Sequence, residues 1–191
     1  CTGISFVDST PIQVCKSKRI SRNKVFKGIA TTGKSTIGWF HGFKLHIIIN
    51  DKGQLLSFAV TQANVDDREP LKNEGFLQNI FGKLFGDKGY ISEKLQQLLF
   101  VDGIQLITSI RNNMKNSLME MSDKILLRKR SIIETVNDEL KNICQVEHSR
   151  HRSFGNFLTN LIAGVIAYHF LPKKPSLRYE TIKTNQLAVF Y

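Results

Sequence analysis

Three acidic residues stand where this chain could build a metal-ion site: Asp8, Asp87 and Glu134. Asp8 closes the first apolar run, in "FVDST", and Asp87 closes a later one, in "KLFGDKGY". Two carboxylates held close together repel each other unless cations neutralise them. Carboxylate oxygens suit Mg²⁺ or Mn²⁺, so we expect a divalent-metal centre if the two apolar runs lie side by side.

Each of these residues also has an ordinary structural interpretation. The Asp in Gly-Asp-Lys-Gly-Tyr can bond the backbone two residues on and so form a turn. Glu134 can pair with Arg130, one helical turn earlier on a solvated face, which is worth only tenths of a kcal/mol. Taken singly, Asp87 and Glu134 fit these interpretations better. Their order along the chain with Asp8 (strand, strand, helix) favours a shared site.

The segment around Glu134, "RKRSIIETVNDELKNIC", has the periodicity of an amphipathic helix. At about 100° per residue, Arg130, Glu134 and Lys141 cluster on one side. The apolar arc on the other side consists of Ile132, Ile133, Val136, Leu140 and Ile143. Arg and Lys beside a carboxylate suit phosphate groups, so the charged side of this helix is a candidate for phosphate contacts.

Strands and helices follow one another in an order that favours a layered α/β fold of one domain. The predicted strands are 3–10, 42–50, 54–62, 83–87 and 105–110. The predicted helices are 64–80, 93–103, a long one after a basic loop through about 144, and 154–171. If the strands that end in Asp8 and Asp87 are neighbours, the two carboxylates share the carboxyl edge of the sheet, where α/β sites form.

Composition narrows the function classes. The 191 residues carry a formal net charge of +11 and are 41% hydrophobic. Such an excess points to a polyanion, nucleic acid before an acidic membrane surface, although charge alone does not exclude a merely basic protein. The 3 scattered cysteines do not form a disulfide framework and favour a reducing compartment. The apolar run 154–171 is short and interrupted, which favours a buried helix over a membrane span.

Basic residues that could contact DNA are concentrated in one segment and one strand. We define the basic segment as Lys16, Lys18, Arg19 and Arg22, which we expect in a loop beside Asp8. Contacts of this kind follow the phosphate backbone and carry no sequence preference. Lys44 would touch phosphate if its side of the strand faces the site. Asp66 and Asp67 are explained as helix-capping residues. Trp39 could stack on a base or lie in the core.

These blocks resemble the DDE transposases of bacterial insertion sequences, whose catalytic core is ribonuclease-H-like. The resemblance spans about residues 4–171, through "FVDSTPIQVC", "GWFHGFKLHIIIND", "NVDDREPL", "GDKGYIS" and "RSIIETVNDELKN". The family signature around the Glu is Y-x-x-R-x-x-x-E-x-x-x-x-x-x-K. Arg130, Glu134 and Lys141 match it, and Leu127 stands at the Tyr position.

The resemblance implies a fold, an activity and a set of partners. The fold would be a mixed α/β sheet flanked by helices, with residues 1–172 as the catalytic domain and 173–191 as a tail. Asp8, Asp87 and Glu134 would hold two Mg²⁺ or Mn²⁺ ions for cleavage and transfer of DNA strands. The working species would be at least a dimer on transposon ends and target DNA, in the bacterial cytoplasm at the nucleoid. No membrane or small-molecule substrate is implied.

Two other functions stay open at the level of the sequence. A nuclease of the same fold would cut DNA without joining it. An inactive transposase fragment would bind DNA through its charge and catalyse nothing. The family would also carry an N-terminal DNA-binding region, which we expect to be missing from this chain.

Overall fold

A mixed sheet of six strands forms the centre of the fold. The computed structural model describes residues 1–109, 118–147, 150–177 and 187–189. The sheet consists of β1 (Ile4–Cys15), β2 (Thr31–Ser35), β3 (Gly38–Asn50), β4 (Leu55–Gln62), β5 (Gly82–Gly86) and β6 (Ile104–Thr108). The strand order is β2-β3-β1-β5-β6, and β4 also pairs with β3. β3 is antiparallel to β1, β2 and β4, whereas β1, β5 and β6 run parallel.

Helices cover both faces of this sheet. They are α1 (Glu74–Leu77), α2 (Glu93–Val101), α3 (Met121–Arg128), α4 (Ser131–Asn142) and α5 (Phe154–His169). Successive strand residues point to opposite faces. Phe6 therefore belongs to the apolar cluster beneath α4 and α5, and its neighbour Val7 to the cluster beneath α2. Burial on two sides explains why β3 reads as a nearly continuous apolar run.

The first strand is longer than the sequence indicates. β1 continues through Pro11 to Cys15, so Asp8 lies within the strand and does not end it. Pro is tolerated where a strand has a neighbour on one side only, and the pairing of β1 with β5 stops at Phe6. Most of the basic segment, which was expected in a loop, lies in a 3₁₀ helix at Ser17–Arg22, and the unexpected strand β2 follows it.

Two predicted helices are wrong. Residues 64–80 form turns, a 3₁₀ helix at Pro70–Lys72 and the single turn of α1. Pro70 has no backbone N–H, so a helix that began at 64 could not make its hydrogen bond at this position. The long helix through 144 is two helices, α3 and α4, separated at Lys129 and Arg130. No Gly or Pro marks this break. The predicted basic loop after 110 lies mostly outside the described residues.

The predicted apolar face of α4 is confirmed, except at its end. Ile132, Ile133, Val136 and Leu140 are buried, whereas Ile143 is 59% exposed because the helix stops at Asn142. Among the described helices, none is long and apolar enough to span a membrane. α5 instead packs one side into the core, and the Tyr168 hydroxyl donates to the Gly53 carbonyl at 2.6 Å.

Two short strands lie outside the main sheet. β7 (Leu118–Glu120) pairs antiparallel with β8 (Leu187–Val189). At Leu177, the last residue of the described range 150–177, the backbone amide donates to the Asp51 carbonyl at 2.8 Å. The described part of the chain after α5 therefore contacts the β3–β4 turn, at the end of the sheet away from β2.

Candidate active site

Asp8 and Asp87 are brought together by the parallel pairing of β1 with β5. Phe6 lies opposite Phe85, and the same register carried two residues further places Asp8 opposite Asp87. Neighbouring strands are about 4.8 Å apart. The expectation that the two carboxylates meet at the carboxyl end of adjacent strands is therefore met, although only β5 ends there.

Asp87 forms a turn and lines the site at the same time. Its Oδ1 accepts from the Gly89 amide at 2.8 Å and caps the 3₁₀ helix Lys88–Tyr90. A carboxylate has two oxygens, so Oδ2 is not used by this cap. The turn interpretation and the site interpretation of Asp87 are thus compatible, which the sequence could not show.

α4 brings Glu134 and Arg130 to the same place. Arg130 lies between two carboxylates: its Nη1 is 3.8 Å from Asp8 Oδ1, and its Nη2 is 3.4 Å from Glu134 Oε1. The Glu134 side chain is 62% exposed, whereas that of Asp8 is 21% exposed. The (i, i+4) pair expected for a solvated helix face therefore exists, and it forms part of the wall of the site.

Asn137 is a site residue that the sequence reasoning missed. It lies one helical turn after Glu134, and its Nδ2 donates to Asp8 Oδ2 at 3.1 Å. With Arg130, the residue before α4, at the other oxygen, both oxygens of the Asp8 carboxylate face a named partner. Spacing of three residues from Glu134 was the available signal, but an Asn at that spacing is too common to stand out.

The environment of Asp8 opposes its ionisation. Burial raises the pKa of Asp8 from 3.8 to about 6, against the lowering effects of the Arg130 guanidinium and the Ser9 backbone amide. The carboxylates of Asp87 and Glu134 raise this pKa further. Arg130 therefore does not compensate the charge fully, and a bound cation would.

A cavity of about 430 Å³ opens beside these carboxylates. It is lined by Asp8, Ser9, Pro11, Lys34, Ser35, Thr36, Phe40, Lys44, Asp67, Asp87, Tyr90, Arg130 and Glu134. Asp67 is a fourth carboxylate that sequence reasoning assigned to helix capping. That assignment is wrong, because no helix begins at 66–67. Asp67 instead accepts from Lys44 Nζ at 2.9 Å and from Ser9 Oγ at 2.8 Å.

The expected phosphate-binding lysines already hold other partners. Lys44 faces the site, which is one of the two orientations that the sequence left open. Its Nζ also donates to the Val65 carbonyl at 2.8 Å. Lys141 Nζ donates to the Pro11 carbonyl at 2.7 Å and lies 3.0 Å from Glu147 Oε2. Lys141 therefore fastens α4 to β1 and does not line the cavity.

The basic segment lies far from the carboxylates. Because β1 continues to Cys15, seven residues separate its end from Asp8, which is about 23 Å at 3.3 Å per residue. The expected position beside Asp8 is therefore wrong. A second cavity of about 670 Å³ lies here, and its basic lining residues are Lys16, Arg19, Arg22, Arg150 and His151. Lys18 is exposed outside it.

The β2–β3 hairpin forms one rim of the carboxylate cavity. Trp39 follows the turn and is 67% exposed, so it does not lie in the core. Lys34 Nζ lies 5.9 Å from the centroid of the Trp39 ring, within cation–π range. Ile37 at the tip of the hairpin is 95% exposed. Trp39 therefore presents an exposed aromatic ring next to Lys34, which lines the cavity.

The carboxylates suit a hard divalent cation, although they are not arranged around one point. No three His, Cys, Asp or Glu residues within the described ranges converge closely enough to hold an ion together. Asp8 and Asp87 form the inner pair, and Glu134 stands at the rim beside Arg130. The uncompensated charge of Asp8 and the oxygen-rich donor set fit Mg²⁺ or Mn²⁺. Glu134 would join such a centre by turning away from Arg130.

Sequence comparison decides the family. The family model described as "Transposase DDE domain" matches residues 1–154, most of the chain. The chain belongs to the transposase DDE-domain family. No curated protein matches this DDE domain in sequence. The resemblance inferred from the sequence blocks is therefore confirmed at the level of the family.

A solved structure supports the fold of the DDE domain. The chain resembles a piggyBac transposase from a cryo-EM structure of its synaptic complex with hairpin DNA, with a TM-score of 0.53 and 9% sequence identity. The match covers 87% of this chain and 45% of the piggyBac chain. At this identity the likeness concerns the fold alone. It confirms the predicted ribonuclease-H-like class, a mixed sheet flanked by helices.

Proposed function

We propose that this DDE domain cleaves DNA strands and joins the cut ends to new DNA, as the catalytic part of an insertion-sequence transposase. The observation that carries the proposal is the parallel pairing of β1 with β5, together with the cavity that Asp8 and Asp87 both line. Glu134 lines the same cavity from α4. Membership of the DDE-domain family supports phosphoryl transfer as the type of reaction.

Each acidic residue has a role that follows from its surroundings. Asp8, Asp87 and Glu134 would hold two Mg²⁺ or Mn²⁺ ions. The chemistry that bound ions supply in such centres is Lewis acidity toward the attacking and leaving oxygens at phosphorus. Asn137 orients Asp8 through Oδ2. Arg130 pairs with Glu134 at the cavity rim. When Glu134 turns toward the ions, this guanidinium would become available to an incoming phosphate.

DNA is the proposed partner of both cavities. The formal net charge of +11 and the basic lining of the second cavity support a polyanion. About 23 Å separates Asp8 from the end of β1, which lines the second cavity. This distance corresponds to roughly seven base steps of 3.4 Å. We propose that the basic segment and Arg150 hold the duplex at this distance from the carboxylates. Lys44 and Lys141 keep their hydrogen bonds to the protein and add positive charge that attracts the DNA.

The proposal extends to the organisation of the active protein. Residues 1–172 form the catalytic domain and 173–191 a C-terminal tail. The piggyBac structure is a synaptic complex with DNA, and by analogy this domain would act in an oligomer that holds both transposon ends. Its place of action would be the nucleoid in the bacterial cytoplasm.

Glu134→Gln tests the proposal at the more exposed carboxylate of the pair that contacts Arg130. Gln keeps the size and helix propensity of Glu but removes the charge that a divalent ion needs. In the full-length transposase with its own element ends, we expect Mg²⁺-dependent cleavage to fall by at least 100-fold while DNA binding is unchanged. The unfolding free energy should change by under about 0.5 kcal/mol, as for other exposed sites.

Glu93→Gln is the matched control, because Glu93 is an exposed Glu on α2 outside the cavity. It should cut like the parent. A Glu134→Gln protein that cuts and joins DNA at the parental rate would contradict the proposed function. Products that are cut but never joined, in the parent, would favour a nuclease of the same fold.

A further inference from the structure

The hydroxyl of Tyr90 is a buried polar group without a hydrogen bond. Tyr90 is 1% exposed, and its hydroxyl oxygen has no hydrogen-bond partner within the described parts of the chain. Buried hydroxyl groups in folded proteins nearly always have a partner, so an exception needs an explanation. The proposed roles of the carboxylates and of Arg130 leave this hydroxyl unused.

The position of the Tyr90 ring is fixed by its neighbours. Tyr90 ends the 3₁₀ helix that Asp87 caps, and its ring belongs to the apolar cluster of Val7 and Leu84. A Cβ at Gly86 would lie 3.1 Å from ring atom Cδ2, which is closer than nearly all real contacts. Glycine at 86 therefore lets the ring lie flat against β5, and the hydroxyl is held in one place.

That place is in the wall of the carboxylate cavity. Tyr90 lines the cavity together with Asp8, Asp67 and Asp87. These three carboxylates add to the effect of burial and raise the pKa of the Tyr90 hydroxyl well above its usual range. The group therefore keeps its proton at neutral pH and is available as a donor. None of the carboxylates lies within hydrogen-bond distance of it.

Two cationic donors of the cavity wall already have protein partners. Lys44 donates to the Val65 carbonyl and to Asp67, and Arg130 faces Asp8 and Glu134. A ligand with anionic oxygens would complete the hydrogen bonding of Tyr90 without breaking these contacts. In DNA, the groups with anionic oxygens are the phosphates.

We propose that the Tyr90 hydroxyl donates a hydrogen bond to a non-bridging oxygen of the phosphate that enters the carboxylate cavity. This inference rests on the proposed function, because it takes DNA as the substrate. Tyr90 is then a substrate-binding residue placed by the turn that Asp87 forms. The turn would serve to place a metal ligand and a phosphate donor three residues apart.

Tyr90→Phe tests the inference, because it removes the hydroxyl and keeps the ring. The first measurement is the melting temperature of the protein in 5 mM MgCl₂, titrated with inorganic phosphate. We expect phosphate to stabilise the parent protein by binding the folded state. We expect its apparent Kd to be about tenfold weaker for Tyr90→Phe, which corresponds to 1.4 kcal/mol. Cleavage by the full-length transposase should slow by between about tenfold and 100-fold.

Tyr168→Phe is the matched control, because the Tyr168 hydroxyl has a partner inside the protein. We expect Tyr168→Phe to melt at a lower temperature than the parent and to bind phosphate with the parental Kd. Tyr90→Phe should melt no lower than the parent in the absence of phosphate, since no internal hydrogen bond is lost. A Tyr90→Phe protein that is as destabilised as Tyr168→Phe would mean that the hydroxyl has a protein partner, and would overturn the inference.

The two proposals fail in different ways. If the parent transposase cuts DNA and Tyr90→Phe cuts equally well, the inference is wrong and the proposed function stands. If the parent shows no metal-dependent cleavage, the proposed function is wrong, and the phosphate titration still decides the role of Tyr90. Equal phosphate Kd values for parent and variant, or no effect of phosphate on the parent, would overturn the inference.

Discussion

Asp8 should destabilise the metal-free fold at neutral pH, and Asp8→Asn should relieve this. The pKa of Asp8 is raised from 3.8 to about 6 in the folded protein. The folded state therefore binds more protons than the unfolded state between these pH values, so stability falls as the pH rises through them. At 1.36 kcal/mol per pKa unit, the gap corresponds to about 3 kcal/mol.

Asparagine at position 8 would keep the main contact and lose the charge. Its side-chain oxygen can still accept from Asn137 Nδ2, while the 3.8 Å pair with Arg130 is lost. The Arg130 pair lowers the pKa of Asp8, and the value of about 6 already includes this lowering. The estimate of about 3 kcal/mol therefore already accounts for the loss of the pair. We expect Asp8→Asn to be about 2 to 3 kcal/mol more stable than the parent at pH 7, and equally stable near pH 4.

Urea unfolding at pH 4, 5, 6 and 7 in EDTA would measure this difference. Asp102→Asn, at an exposed position after α2, is the control for loss of a carboxylate elsewhere. Added Mg²⁺ should narrow the gap at pH 7, because it would stabilise the parent and not the variant. The reasoning is refuted if Asp8→Asn is no more stable than the parent at pH 7, or if its gain is the same at pH 4.

Two further predictions concern DNA binding, alongside those for Glu134→Gln and Tyr90→Phe above. Trp39 is the only tryptophan of the chain and is exposed at the cavity rim, so its fluorescence should be quenched by DNA. Trp39→Ala should weaken binding by about 1 to 3 kcal/mol if a base stacks on it, whereas unchanged fluorescence on saturation with DNA would exclude stacking. Replacing the four residues of the basic segment by Ala should reduce the slope of log K against log salt by up to about 3.6. An unchanged slope would mean that this segment does not meet the backbone.

Much of the architecture follows from local patterns in the sequence. The strands at 42–50 and 54–62 are confirmed to within a few residues, as is the helix capped by Ser92. The buried face of α4 follows from its 3.6-residue period. The acidic residues follow apolar runs in the order strand, strand, helix, and this order was part of the resemblance to DDE transposases. These signals are local, so they are visible without knowledge of which strands pair.

The wrong predictions share a physical cause. The length of β1 depends on its long antiparallel pairing with β3. This pairing extends from Ser5 to Cys15 and includes Pro11. Because of that length, the basic segment begins about 23 Å from Asp8. β2 is a strand because it pairs with β3, although its own residues, Thr-Thr-Gly-Lys-Ser, carry a weak strand pattern. In each of these cases the pairing with β3, and not the strand's own residue pattern, decided the structure.

The contacts within the site were likewise decided by the tertiary structure alone. The register of β1 against β5 sets Asp8 opposite Asp87, and a shift of one residue would turn either side chain to the other face. Asn137 reaches Asp8 across 129 positions of sequence. Tyr90 shows its unpaired hydroxyl only once the ring is packed against β5. The sequence by itself determined which residues could do the chemistry, because residue type and local period are written in it. Which side chains surround them depends on strand register and helix packing, and these arise only when the whole chain folds.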